Sequence, residues 1–278
     1  MKLCSVDGRA AIVIDGRLVD IERASGGELS SDPMDAIANI DMLSDLDPPA
    51  DAGLVDEAQL GAPVPRPQKI IAVGLNYRGH AEEQDVPIPT EPILFARLPS
   101  ALAGPHDDIV IPRGQERVDY EVELVFVIGK RGKNISENEA WDYVGGYTVG
   151  QDVSDRELQF EGLKKFSIAK SFDTYAPTGP YVVTLDEFDD PENLRLSCSV
   201  NGEVMQDSQT DDLIFGIPRL ISDISRICTF EPGDLVFTGT PQGVGVFRDP
   251  QIMLRPGTVV ESEIEGIGHM VNRCVAGP

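Results

Sequence analysis

Between residues 119 and 128 the chain reads Asp-Tyr-Glu-Val-Glu-Leu-Val-Phe-Val-Ile. Side chains alternate along a strand, so Tyr120, Val122, Leu124, Phe126 and Ile128 share one face and Glu121, Glu123, Val125 and Val127 the other. Both faces are largely apolar, which predicts a strand covered on both sides. Its two carboxylates then stand roughly 6.5–7 Å apart, two strand steps, at one end of a packed face. Like charges in such a place are protonated, paired or bound to a cation. A bound cation answers both charges at once, whereas a solvated strand end is the plainer alternative for so short a motif.

The same pattern of apolar and polar positions predicts a strand-rich chain. Residues 10–14 and 17–21 are apolar runs joined by Asp15-Gly16, a hairpin signal. Asp32 before Pro33 starts a helix whose apolar face carries Met34, Ile37 and Ala38. Pro48, Pro49, Pro63, Pro65 and Pro67 punctuate an acidic, weakly patterned stretch. It reads as a linker, which divides the chain into a small N-terminal α/β domain with linker at residues 1–65 and a larger domain at 66–278.

Past that boundary, residues 69–73 form an expected strand that runs through a loop into a short helix. His80 and Glu83 lie three apart and share a face of it, where the carboxylate can orient the imidazole and favour its charged form. A surface ion pair is the alternative. Residues 85–92, rich in proline, read as an exposed loop or lid. A strand ends at Asp152, and the next helix is predicted to be capped by Ser154 with Glu157 closing the capping box, so that Arg156 and Gln159 share a face. Strands are expected at residues 182–184, 194–200, 203–206, 235–237 and 258–264, and from His269 onward. Asn201-Gly202 makes a second hairpin turn. Pro218 opens a helix with Leu220, Ile221 and Ile224 on one face. The glycine-rich run from Thr238 to Gly245 lacks the Gly-Lys-Ser/Thr ending of a phosphate cradle. Many strands and few helices imply an α+β, mainly β fold.

Charge narrows the partners. The 278 residues carry 47 acids against 23 bases, a net charge of −24. Such a field repels phosphate backbones and anionic headgroups, so nucleic acid and membranes are poor partners, and an anionic substrate requires local positive charge. With neither an apolar signal core at Met1 nor a spanning run, the expected location is cytoplasmic. Cys4, Cys198, Cys228 and Cys274 are scattered without paired spacing, which argues against a zinc site or disulfide framework and for buried, reduced thiols.

Taken together, the blocks from Lys69 to Cys274 resemble the fumarylacetoacetate hydrolase family: Gly-Leu-Asn-Tyr before His80 and Glu83; Asp-Tyr-Glu-Val-Glu-Leu; Asp-Val-Ser with Arg156 and Gln159; Lys-Ser-Phe-Asp-Thr; Val-Asn-Gly-Glu; and Pro-Gly-Asp before Thr-Gly-Thr-Pro-Gln-Gly-Val-Gly. The resemblance implies a mixed β-sandwich roll, a homodimer, and a bound Mg²⁺, Mn²⁺ or Ca²⁺ held by Glu121, Glu123 and Asp152. Three carboxylates without a nearby His or Cys suit such a hard cation. It further implies that His80 with Glu83 activates water, that Lys170 stabilises an oxyanion, and that Arg156, Gln159, Gly239 and Thr240 contact substrate. Gln151, Glu157 and Ala169 depart from the family pattern, which commonly has Asn, Asp and Gly there. The implied activity is carbon-carbon hydrolysis of a β-diketo acid of the acylpyruvate or fumarylpyruvate type, giving a carboxylate and pyruvate. Decarboxylation or isomerisation of oxaloacetate-like or unsaturated dicarboxylic acids is the alternative, and a non-catalytic metal-binding module a third.

Overall fold

The structure, a computed structural model, describes residues 1–49, 52–160 and 165–278. Its strands are β1 (Lys2–Val6), β2 (Arg9–Ile14), β3 (Arg17–Asp20), β4 (Leu60–Gly61), β5 (Ile70–Gly74), β6 (Ile93–Arg97), β7 (Leu102–Ala103), β8 (Ile109–Ile111) and β9 (Val118–Asp119). They continue as β10 (Val122–Ile128), β11 (Val144–Gln151), β12 (Ser154–Asp155), β13 (Ala176–Val183), β14 (Arg195–Val200), β15 (Glu203–Gln209), β16 (Leu235–Phe237), β17 (Val259–Ile264) and β18 (Gly268–Ala276). The helices are α1 (Ile21–Ala24), α2 (Pro33–Ala38), α3 (Arg78–Glu83), α4 (Arg156–Phe160), α5 (Phe166–Ala169) and α6 (Ile217–Ile227).

One large mixed sheet runs in the order β3-β2-β1-β13-β11-β10-β16-β5-β6, with β4 on β1 and β7 on β13. A second sheet runs β15-β14-β17-β18-β8. The two stack as a sandwich. From β10, Val122, Leu124, Phe126 and Ile128 enter one core with Leu196, Cys198, Val260 and Met270 of the second sheet. Val125 and Val127 enter another, with Ile21 of α1, Ala36 and Ile37 of α2, and Leu235 and Phe237 of β16. The central strand is thus covered on both faces, as its alternation requires. The N-terminal hairpin turns on Asp15 and Gly16, both with positive φ (49° and 72°), the backbone that a two-residue turn demands. It extends the large sheet through β1, whose Lys2 and Leu3 pair with Val183 and Val182.

Two local readings need correction. The expected strand at 119–128 is broken, with Tyr120 and Glu121 outside any ladder. Side-chain amides replace the missing strand partners: Glu121 N–H donates to Gln151 Oε1 (2.9 Å) and Val122 N–H to Gln206 Oε1 (3.0 Å). The cap of α4 is Asp155, whose Oδ1 accepts from Leu158 N–H (2.9 Å). Ser154 is drawn instead into a short ladder opposite Asp119, and Glu157 is exposed. Cys4, Cys198 and Cys274 are free and buried, whereas Cys228 is only half-buried. Among the described residues no helix is long and apolar enough to cross a membrane.

Candidate metal centre and active site

Glu121 lies just before β10 and Glu123 within it, while Asp152 lies one residue past β11 and donates its N–H to the Glu121 carbonyl (2.8 Å). Carboxylate oxygens of Glu121, Glu123 and Asp152 all fall within 4.8 Å of one another, and all three residues are buried. Like charges so placed need compensation. Lys170, at the end of α5, sets Nζ 2.7 Å from both Glu121 Oε2 and Asp152 Oδ2. Arg97, at the end of β6, donates to Asp152 Oδ1 and to the carbonyls of Lys170 and Tyr175. Arg156 places Nη2 2.7 Å from Glu121 Oε1, donates through Nε to Asp119 Oδ2 (2.8 Å) and through Nη1 to Gln159 Oε1 (2.7 Å).

Glu123 is the exception: among the described residues it forms no ion pair and accepts one hydrogen bond, from Gly239 N–H (2.8 Å). Gly239 has φ 102°, and a Cβ there would sit 2.8 Å from Asn76 Cβ, so only glycine brings this amide close. The consequence for ionisation is a split. Burial pushes Glu121 up, but the ammonium of Lys170 and the guanidinium of Arg156 outweigh it and hold Glu121 at about 2. Burial, reinforced by Asp152 and Glu121, pushes Glu123 well above the carboxylate range. Four acids (Asp119, Glu121, Glu123, Asp152) face three bases (Arg97, Arg156, Lys170), and a proton on Glu123 closes the balance. A hard divalent cation would replace that proton. The donor set fits one, since it is all carboxylate and among the described residues has one member without a cationic partner.

The second half of the site stands on α3. His80 Nδ1 is 2.8 Å from Glu83 Oε2, and Glu83 Oε1 accepts from Gly243 N–H (2.8 Å). The helix is docked rather than free: Gly79 N–H donates to Asp212 Oδ2 (2.9 Å) and Arg78 Nη1 to the Leu213 carbonyl (2.8 Å). Beyond it, residues 85–92 carry no helix or strand. A cavity of about 270 Å³ joins the two halves, lined by His80, Glu121, Glu123, Asp152, Arg156, Gln159, Lys170 and Thr240. Glu83 and Gly239 stay behind its wall. The Thr240 hydroxyl is already committed, donating to the Val122 carbonyl and accepting from Gln206 Nε2 (both 2.8 Å).

The glycine-rich loop after β16 is a cradle, although its anions are the protein's own. Gly239 N–H serves Glu123, Gly243 N–H serves Glu83, and the N–H groups of Gly245 and Val246 serve Asp119 (2.8 and 3.0 Å). Arg97, Asp119, Gln206 and Phe247 are site residues that reading the sequence missed. Arg97 ends an apolar strand and looks like any solvated strand-end cation; its partner is 55 residues away. Asp119 stands in the motif, but the Arg156 guanidinium and the Gly245 and Val246 amides that it accepts from are 37 or more residues away.

Residues 69–275 match the family described as Fumarylacetoacetate (FAA) hydrolase C-terminal. Over 215 residues the chain is 48% identical to Oxaloacetate tautomerase FAHD2A, mitochondrial, of Bos taurus, covering 77% of this chain and 68% of the relative. The crystal structure of a fumarylacetoacetate hydrolase from psychrophilic Exiguobacterium antarcticum superposes over the whole of both chains at TM-score 0.86 and 34% identity. A maleylpyruvate hydrolase from Sphingobium sp. SYK-6, solved with manganese(II) and pyruvate, does so at TM-score 0.80 and 30% identity. The chain is an enzyme of the fumarylacetoacetate hydrolase family.

Proposed function

We propose that this enzyme interconverts the keto and enol forms of 2-oxo acids in a divalent-cation-dependent reaction, with oxaloacetate, named for its relatives, as the first substrate to test. The observation that carries the reading is His80, held by Glu83 and bordering the same cavity as the Glu121/Glu123/Asp152 cluster. The hydrolysis expected first from the sequence yields its place to the isomerase alternative, because relatives at 46–48% identity bear tautomerase names.

Glu121, Glu123 and Asp152 would hold Mg²⁺ or Mn²⁺, with Ca²⁺ a third candidate, and the ion would supply Lewis acidity toward the substrate carboxylate and 2-oxo oxygen. With Nδ1 bound to Glu83, His80 keeps Nε2 as the free base. It takes a proton from C3; the C–H electrons form the C2=C3 bond and the carbonyl π electrons move to the 2-oxo oxygen. Glu83 stabilises the imidazolium, and Lys170 stabilises charge growing on that oxygen. The imidazolium then returns the proton to the oxygen, which completes the enol. Gln159, whose Oε1 is taken by Arg156, keeps its amide N–H groups for the substrate. Arg97, Arg156 and Lys170 offset the carboxylates beneath the cavity, and the cation would supply the further positive charge that an anionic substrate needs in a strongly acidic protein.

Loss of oxaloacetate enol absorbance, followed with Mn²⁺-loaded protein, tests this. His80→Ala should lower kcat by about 10²–10⁴. An unchanged rate in chelated protein or in His80→Ala refutes the reading. Hydrolysis of an acylpyruvate is the second reading, supported by the neighbour that holds manganese and pyruvate, and would use His80 to activate water. Product identification separates the two, and release of CO₂ marks the decarboxylase variant. A homodimer and a reducing, cytoplasmic setting complete the proposal, the latter supported by three buried free thiols.

A further inference from the structure

The cavity is polar at its floor and apolar at its mouth. Its basic side chains, His80, Arg156 and Lys170, are all buried, and each already faces a carboxylate of the protein. Around the opening stand Val86, Ile93, Phe160 and Phe247, exposed by 40, 47, 44 and 39% although large and apolar. Solvent-facing apolar groups gathered on one cavity mark a binding surface rather than scatter. Phenylalanine is concentrated here too: Phe95, Phe160, Phe166 and Phe247 line the cavity, four of the ten in the chain. Phe95 and Phe166 contact each other at 5.8 Å between centroids, with Lys170 Nζ 5.6 Å from the Phe95 ring. Phe247 meets His80 edge-on at 5.9 Å. At the mouth the described lining residues offer a second carboxylate only the half-buried Gln84, since the free Gln159 amide goes to the 2-oxo acid head in the reading above.

We infer that these residues form a subsite for an apolar, planar substituent, so that the enzyme prefers 2-oxo acids of the arylpyruvate type over 2-oxo diacids. The inference rests on the 2-oxo-acid reading above, extending it from the reacting end of the substrate to the far end. The 2-oxo acid head meets the charged floor; an aromatic ring at C3 buries its faces and edges against Phe160, Phe247 and the Phe95/Phe166 pair. A carboxylate in the same position loses its hydration to apolar walls without gaining a partner. Specificity of this kind comes from what the wall fails to offer as well as from what it does.

Binding of two inert 2-hydroxy acids to Mn²⁺-loaded protein tests the subsite apart from catalysis. Calorimetry with 3-phenyllactate and with malate should give a Kd at least tenfold lower for 3-phenyllactate. Val86→Lys should narrow that ratio tenfold or more by placing an ammonium at the mouth, and Ile93→Lys on β6 serves if the first variant does not fold. Malate binding as tightly as 3-phenyllactate, no binding of 3-phenyllactate, or a ratio unmoved in both variants overturns the inference. Turnover of phenylpyruvate and oxaloacetate is then measured separately: a kept binding preference with neither acid isomerised sinks the isomerase reading and leaves the subsite standing.

Discussion

Glu123→Gln isolates the one carboxylate of the cluster that lacks a cation. The replacement keeps the shape of a side chain that is 1% exposed, keeps an acceptor for Gly239 N–H, and adds an amide donor toward Glu121 and Asp152. In the metal-free protein the folded state holds a proton on Glu123 at pH values where the unfolded chain has released it. Since the folded pKa is raised above the ordinary 4.5, stability contributed by this group falls as pH rises through that window. The slope approaches about 1.4 kcal/mol per pH unit for one proton. As pH rises above the ordinary value, the chelated variant should therefore gain in Tm over the wild type. Adding Mn²⁺ at a hundred times its Kd should stabilise the wild type by about 2.7 kcal/mol and the variant far less, so the variant's advantage narrows. Thermal melts from pH 5 to 7, with chelator and with Mn²⁺, give all four values. A difference that does not change with pH, or a chelated variant less stable than the wild type, refutes the claim that burial and its acidic neighbours push the Glu123 carboxyl up.

Lys170→Met removes the ammonium that bridges Glu121 and Asp152. Metal affinity measured by titration should rise while kcat falls about 10²-fold, the usual worth of one oxyanion donor; parallel losses in both would assign Lys170 to folding alone. Gly239→Ala should cost roughly 1–3 kcal/mol through its backbone conformation, and more through contact with Asn76, and should weaken metal binding by displacing the amide that holds Glu123. Gly257→Ala is the matched control, with φ 96° and nothing within 4 Å of the added Cβ; equal losses in the two variants would remove the steric part of the argument.

What the sequence disclosed was local. Alternation from Tyr120 to Ile128 assigned both faces of the central strand, because a covered strand has no other way to distribute its side chains. The spacing of His80 and Glu83 gave their contact, which depends only on helical geometry. Turn chemistry gave the hairpins at Asp15-Gly16 and Asn201-Gly202. Readings failed where distant partners decided: Ser154 left the helix cap because Asp119, thirty-five residues earlier, pairs with it in a ladder. Arg97 and the aromatic mouth were invisible for the same reason, since only the folded sheet brings β6, α4, α5 and the loop after β16 around one cavity. The resemblance supplied the ligand set, and geometry added the asymmetry within it, one carboxylate pulled down and another pushed up.

The loop after β16 has a consequence for how this enzyme can vary. Its amides at positions 239, 243, 245 and 246 are each assigned to a fixed side chain on three separate elements, so the loop is indexed residue by residue. An ordinary surface connection absorbs an added residue for a fraction of a kcal/mol. Here one insertion between Gly239 and Gly243 would shift every later amide out of phase with its carboxylate, unseating Glu83 and Asp119 while sparing Glu123. Such a lengthened loop would yield a protein that still gathers its three clustered carboxylates but has lost the alignment of its histidine, which makes the length of this segment as much a functional trait as any residue within it.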